Sequence, residues 1–243
     1  ELEVVSNKHS TFFAEFLHTR EASLHGKDQQ VVTSEIETEI GNIKIGWDWA
    51  VEHMQVGRIA DYLESVYDLH DTRGWSHEGV KLFAQTFQSL TSASDDRATQ
   101  LLRGRLLMWQ GVLSSDFETA DNINQIMQDS LTIFRELGAQ RELAYALSYS
   151  VILNSYLSEN GNEPFGQESL HIFKELGNQH GITLALMTLA YSALLQENYP
   201  LAKQRYQSSL TLLRESNDTK EIIRCLNGLG YVCWRLGEYQ EAK

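Results

Sequence analysis

Proline is almost missing from this chain: Pro164 and Pro200 are the only two in 243 residues. With so few helix breakers, and with Leu, Ala, Glu and Gln plentiful, an almost wholly helical fold is the economical expectation. Cysteine is as scarce. Cys225 and Cys233 fall in one predicted helix, where helical rise separates their α-carbons by about 12 Å, too far for a bridge, so both read as reduced core thiols. No apolar run approaches the ~20 residues of a membrane span, and no signal peptide opens the chain, which together favour a cytoplasmic setting. Basic residues are outnumbered, 20 Lys plus Arg against 33 Asp plus Glu, for a net charge of −13. The acidic excess runs through both halves and no basic cluster forms, so direct nucleic-acid binding is not expected. Catalytic signatures are absent too: there is no G-x-x-x-x-G-K-[ST], no H-E-x-x-H, no G-x-S-x-G and no paired C-x-x-C. No titratable pair converges at helical spacing, as a helical-bundle enzyme would require. These absences predict a non-catalytic chain that needs no cofactor.

What is present is repetition. Glu168 to Leu186 (ESLHIFKELGNQHGITLAL) restates Asp129 to Leu147 (DSLTIFRELGAQRELAYAL) at a spacing of 39, and Ser208 to Leu226 (SSLTLLRESNDTKEIIRCL) follows at 40. Leu131, Leu170 and Leu210 stay in register, as do Leu147, Leu186 and Leu226. Periods of this size in a helical sequence mean stacked helical hairpins, none able to bury its apolar face without a neighbour. The expected fold is all-α, a right-handed superhelix of antiparallel helix pairs. From Arg97 the pairs read as 97–114 with 117–137, 141–158 with 163–177, 180–196 with 199–216, and 219–236 with a truncated partner. Pro200 falls in a first helical turn, where its missing N–H is harmless.

The front does not repeat. His9 to Leu24 carries Phe12, Phe13, Phe16 and Leu17 at helical spacing, with Ser10 and Thr11 as candidate caps. After the His25-Gly26-Lys27-Asp28 break, Val31 to Met54 continues a helical pattern in which Gly41 or Gly46 would kink the axis. Ile59 to His70 forms another helix, ended at Arg73-Gly74, and Ser76 caps a fourth running to Leu90. Serine-rich, acidic Thr91 to Asp96 is the best boundary, dividing a front segment, 1–92, from the repeats of 93–243. The start at Glu1 rather than Met, and an end at Lys243 with a helix barely begun, suggest a piece of a longer protein.

From Leu226 the sequence LNGLGYVCWRLGEYQEA resembles the tetratricopeptide repeat. Leu226, Leu229 and Gly230 on the first helix, Gly237 and Tyr239 at the turn, and Ala242 on the second helix match that family's pattern. Leu189, Ala190, Tyr199, Ala202 and Tyr206 fill the same roles one repeat earlier, with Glu197 replacing the turn glycine. The repeat around Leu147 departs further, with Gly161 and Pro164 near its turn, and the first unit matches only through Phe117 and Ala120. In the front, Glu39, Asn42, Ile43, Lys44, Trp47, Trp49 and Ala50 resemble the E-x-x-N-L-R-x-x-L-x-W-A stretch of bacterial STAND-class regulators of the AfsR-like and MalT-like kind. Arg73-Gly74 with Glu78-Gly79 is similar to the R-G-x-x-x-E-G turn that follows it there, and His9-Ser10-Thr11-Phe12-Phe13 to their R-H-x-x-Y-F helix, with Lys8 in place of arginine. The resemblance implies an upstream nucleotide-binding ATPase switch joined to a helical-repeat sensor that binds a protein, a peptide or a small-molecule inducer. A free-standing adaptor or peptide receptor is the alternative.

Candidate sites divide sharply. Glu35 and Glu39 share a helix face while Glu37 points elsewhere, which fits a solvated face better than a metal cluster. His70 and His77 straddle the Arg73-Gly74 turn, so capping and turn packing outweigh metal ligation, and Arg73 with Glu78 should tie adjacent helices together. The stronger candidate is the groove lined by the first helix of every pair. Tyr191 and Tyr231, 40 apart, should stand side by side along it with Met187, Arg224, Asn227 and Trp234, joined by Tyr145 and Ile152. Aromatics with polar tips suit peptide or ring-bearing ligands. The same residues would equally serve packing between repeats or against a further carboxy-terminal helix. Because Arg224 and Asn227 correspond to Leu184 and Met187 one repeat earlier, the Lys/Arg/Asn carboxylate clamp of chaperone-binding tetratricopeptide proteins is not expected. Leu229, Val232 and Leu236 should lose cover where the chain stops, which predicts end-to-end pairing.

Overall fold

The structure is a computed structural model that describes residues 1–25, 28–154, 163–216 and 218–240. Among these residues the regular elements are helices alone, and the all-α reading of the composition stands. The chain divides into two compact units, Glu1–Phe117 and Glu118–Lys243.

The first unit holds α1 (Leu2–His18), α2 (Gln29–Thr38), α3 (Ile40–Glu52), α4 (Val56–Arg73), α5 (Ser76–Ser89) and α6 (Arg97–Leu113). Its centre is Trp47, which meets Tyr62 edge-on and Phe83 at a tilt, both at 6.1 Å between ring centroids. All three rings are buried. Helix α1 starts seven residues before His9, so Ser10 and Thr11 lie inside it rather than capping it. Ser10 donates to the Gly46 carbonyl at 2.7 Å, while the Tyr62 hydroxyl donates to the Ser10 carbonyl at 2.8 Å. A Cβ on Gly46 would collide with the Tyr62 hydroxyl; the glycine permits close helix approach and produces no kink. The axis breaks instead at Glu39, between α2 and α3. Gly74 ends α4 at φ 67°, as Arg73-Gly74 suggested, whereas Ser76 is the first residue of α5 and caps nothing.

The serine-rich stretch lies within this unit. Leu90 is fully buried, and Arg103 donates to its carbonyl at 2.6 Å and to Asp95 at 2.7 Å. Helix α6, expected to open the repeats, packs on α4 and α5: Arg105 pairs with Glu64 at 2.8 Å and Trp109 stacks on Tyr67 at 3.7 Å. The boundary between the two compact units falls after Phe117.

The second unit holds α7 (Ala120–Leu137), α8 (Gln140–Asn154), α9 (Glu163–Glu175), α10 (Gln179–Leu195), α11 (Tyr199–Ser216) and α12 (Thr219–Leu236). These bounds follow the periods read from the sequence closely; Gly161 and Ala242, like Gly26 and Lys27 in the front, lie outside the described residues. Side-chain oxygens of Asn178 and Asp218, 40 apart, cap α10 and α12 by accepting from Gly181 and Glu221 N–H groups. One hydrogen bond also repeats: Ser169 donates to the Ala144 carbonyl at 2.8 Å and Ser209 to the Thr183 carbonyl at 3.2 Å. Donor and acceptor both advance by one period. Gly166 faces Leu189, Gly181 faces Phe173 and Gly228 faces Tyr206, each so closely that a Cβ would collide. The core beyond them runs through Met187, Ala190, Ala202, Tyr206, Leu210, Leu213 and Val232.

Candidate functional site

Helix α10 ends in a turn whose residue Glu197 is held at φ 56°, and α12 ends in the same way one period later at Gly237, φ 79°. The left-handed conformation is free for glycine and costs another residue roughly 1 kcal/mol. That turn leads straight into Tyr199, the first residue of α11. The repeat then lays Tyr231 and Arg235 of α12 alongside, because helical period places them on one face one turn apart.

The result is a cleft of about 410 Å³ lined by Tyr191, Leu194, Leu195, Glu197, Tyr199, Tyr231 and Arg235. Leucine supplies an apolar floor and three tyrosines supply walls. Arg235 is fixed among them: it donates to the Tyr231 hydroxyl at 3.1 Å and lies 4.6 Å from the Tyr199 ring centroid and 5.9 Å from that of Tyr231. Its ionic contact with Glu197 is long, 3.7 Å, and the Glu197 side chain is 76% exposed. The hydrogen bond to Tyr231 leads the interactions that hold the guanidinium pKa above its ordinary value. The Tyr199 hydroxyl is buried and has no hydrogen-bond partner among the described residues.

Of the eight residues expected in the groove, Tyr191 and Tyr231 do meet in this cleft. Trp234 sits beside it, 5.7 Å from the Tyr231 ring and 55% exposed. Arg224 and Asn227 lie exposed further along α12, Arg224 pairing with Glu221 at 3.0 Å. Met187 instead belongs to the core, and Tyr145 packs edge-on against Phe173 while accepting from Asn178 at 3.4 Å. Ile152 is half-buried and outside the cleft. Glu197, Tyr199 and Arg235 complete the site. The replaced turn glycine at Glu197 was the available signal, since an ordinary residue at a left-handed turn carries a cost that a functional side chain can explain.

Other expectations are settled by packing. Glu37 pairs with Arg73, and Glu35 with Arg20 at 2.9 Å, so Arg73 ties helices together through a partner other than Glu78. His70 is bonded through Nδ1 to the Val66 carbonyl at 2.7 Å, and His77 stacks on Phe117 at 3.9 Å. Among the described residues no three His, Cys, Asp or Glu are grouped as a metal ion would need. Cys225 and Cys233 are free and buried; burial first of all pushes the Cys225 thiol pKa up to about 11. Val232 is buried, Leu229 and Leu236 are half-buried against the same core, and the exposed large apolar residues of α12 are Ile223, Leu226, Tyr231 and Trp234. Tyr239, matched to the turn of the family's pattern, is exposed.

Residues 181–243, which build this cleft, match the tetratricopeptide repeat family. Among solved structures the chain is similar to BtubC (BKLC) from P. vanneervenii, with TM-score 0.63 and 15% identity over 81% of this chain and 84% of that one. It is also similar to a Rap protein complexed with Competence and Sporulation Factor, with TM-score 0.62 and 11% identity over 99% of this chain and 74% of that one. Identities this low show the fold, a tetratricopeptide-like helical repeat. No curated protein matches the chain.

Proposed function

We propose that this chain is a non-catalytic interaction region that binds a protein or peptide partner through the α10–α12 cleft. The observation that carries this is the meeting of Tyr191, Tyr199, Tyr231 and Arg235, contributed by successive repeats, around one apolar floor. Such a surface offers aromatic area at low entropic cost. A ligand complex on the same fold, that of the Rap protein, supports a binding role. The test is isothermal titration of the chain with candidate partners, comparing wild type with a Tyr191→Ala/Tyr231→Ala double variant. Binding should weaken at least ~10-fold in the variant, about 1.4 kcal/mol; unchanged affinity would place the contact elsewhere.

The finer reading is a cytoplasmic sensor of a bacterial STAND-class regulator, in which a protein or small-molecule inducer biases an attached ATPase by differential affinity for its two states. The packing of the front motifs on one another favours it. His9 lies 3.5 Å from Asn42, Ser10 bonds Gly46, and Ile43, Trp47 and Ala50 share one core. A complete reading frame with no phosphate loop upstream of Glu1 would remove this reading and leave a free-standing adaptor. Among the described residues no helix is long and apolar enough to cross a membrane.

A further inference from the structure

The cleft contains a charged group of its own, and that group shows what the cleft fits. Arg235 lies over Tyr199 and Tyr231 at 4.6 and 5.9 Å, within the ~6 Å over which an aromatic face attracts a cation. Its carboxylate partner Glu197 occupies a left-handed turn position where the next repeat has Gly237. A glutamate thus stands, against backbone preference, among the residues that line a tyrosine-rich cleft. Resting on the reading that this cleft is the partner site, we propose that it selects a cationic side chain, the guanidinium or ammonium of a basic partner segment, and that Arg235 occupies the same position when no partner is bound.

Three observations converge on a cation. The Glu197 carboxylate lines the cleft and the Tyr231 hydroxyl already accepts from Arg235 there, and Lys and Arg are donors without acceptor capacity, matched to both. The Glu197–Arg235 contact is 3.7 Å long and largely solvated, so exchange of one cation for another sacrifices little. The chain as a whole carries −13, which draws basic segments towards it and turns acidic ones away. Arg235 is therefore a competitor: it holds the tyrosines apart for a ligand and must swing aside to admit one.

Competition gives the inference its sharpest test. Blocked tripeptides, N-acetyl-Leu-X-Leu-amide with X as Arg, Lys, citrulline or Glu, are titrated into the full chain while NMR follows the tyrosine ring resonances. The Arg and Lys probes should shift Tyr199 and Tyr231, with the isosteric but neutral citrulline probe bound about 10-fold more weakly. Arg235→Gln should tighten the Arg probe about 3-fold by removing the internal competitor, and Glu197→Gln should weaken it by a similar factor. Arg235→Lys, which keeps a cation in place, should remain near wild type, a pattern that mere loosening of α12 would not give. Preference for the Glu probe, abolished in Arg235→Gln, would overturn the inference in favour of anion recognition. Equal binding of all four probes would overturn it while leaving the cleft as an interaction site. Probes that bind but leave every cleft resonance unmoved would defeat both.

Discussion

The two units solve one problem, bringing helix backbones close, by different means. In the front, α1, α3 and α4 converge on Gly46 through hydrogen bonds that join residues 36 and 52 apart in sequence, Ser10 to Gly46 and Tyr62 to Ser10. In the back the corresponding ties are local and periodic: Ser169 to Ala144, then Ser209 to Thr183. A repeated tie can be lost once and still be present in the next pair. A single convergence point cannot. The front unit should accordingly respond to point changes as a whole, and the back unit pair by pair.

Deletion of the largest buried ring should separate them most clearly. Trp47→Ala is expected to cost the front unit about 4 kcal/mol, and Phe173→Ala a similar amount in the back. Urea unfolding read by circular dichroism should show the first as loss of one cooperative block and the second as a broadened transition; identical behaviour would break the contrast. Next in size is Gly46→Ala, at about 2–3 kcal/mol, because the new methyl meets a hydroxyl held by a backbone carbonyl. Gly228→Ala, where the obstacle is the edge of the Tyr206 ring, should cost less. Four of the five tryptophans, Trp47, Trp49, Trp75 and Trp109, belong to the front unit, so fluorescence follows it almost alone.

Alkaline pH should act on both units. Burial above all raises the Tyr62 pKa to about 12, and burial likewise raises Tyr206 and lifts Cys225 to about 11. A folded-state pKa above the unfolded value means stability that is complete below the unfolded pKa and lost as pH climbs through the folded one. Cys225 begins from 9.0 and the tyrosines from 10.0, so the back unit should weaken first, between about pH 9 and 11, with the front following. A front unit that loses stability at the lower pH would reverse the assignment. Ser169→Ala should cost about 1 kcal/mol with Ser209 still in place. Smallest is Glu197→Gly, which should stabilise the array by roughly 0.5 kcal/mol as the left-handed turn relaxes, a gain measurable as a shift of the urea midpoint.

The same contrast explains what the sequence disclosed. Where Asp129 to Leu147 is echoed twice, every helix boundary could be set by comparison with its copies, and α10, α11 and α12 emerge within a residue of their expected limits. Ser10, Gly46 and Glu39 had no copy to compare with. Local rules assigned Ser10 to a cap and Gly46 to a kink, but its role depends on Tyr62, whose contact no local pattern encodes. Within the site, period alone paired Tyr191 with Tyr231. It misplaced Met187, which packs in the core although Tyr191, one turn on along the same face, reaches the cleft, and it passed over Arg235, whose position matters only once α12 lies beside Tyr199.

The claim on which the rest depends is that successive repeats bring Tyr191, Tyr199, Tyr231 and Arg235 into one cleft. Nuclear Overhauser contacts between the Arg235 side chain and the ring protons of Tyr199 test it most directly, since 4.6 Å separates guanidinium and ring centroid. The account predicts clear cross-peaks from Arg235 to Tyr199 and upfield-shifted Arg235 methylene protons beneath the rings. Random-coil shifts for Arg235, with cross-peaks confined to Tyr231 on its own helix, would contradict it.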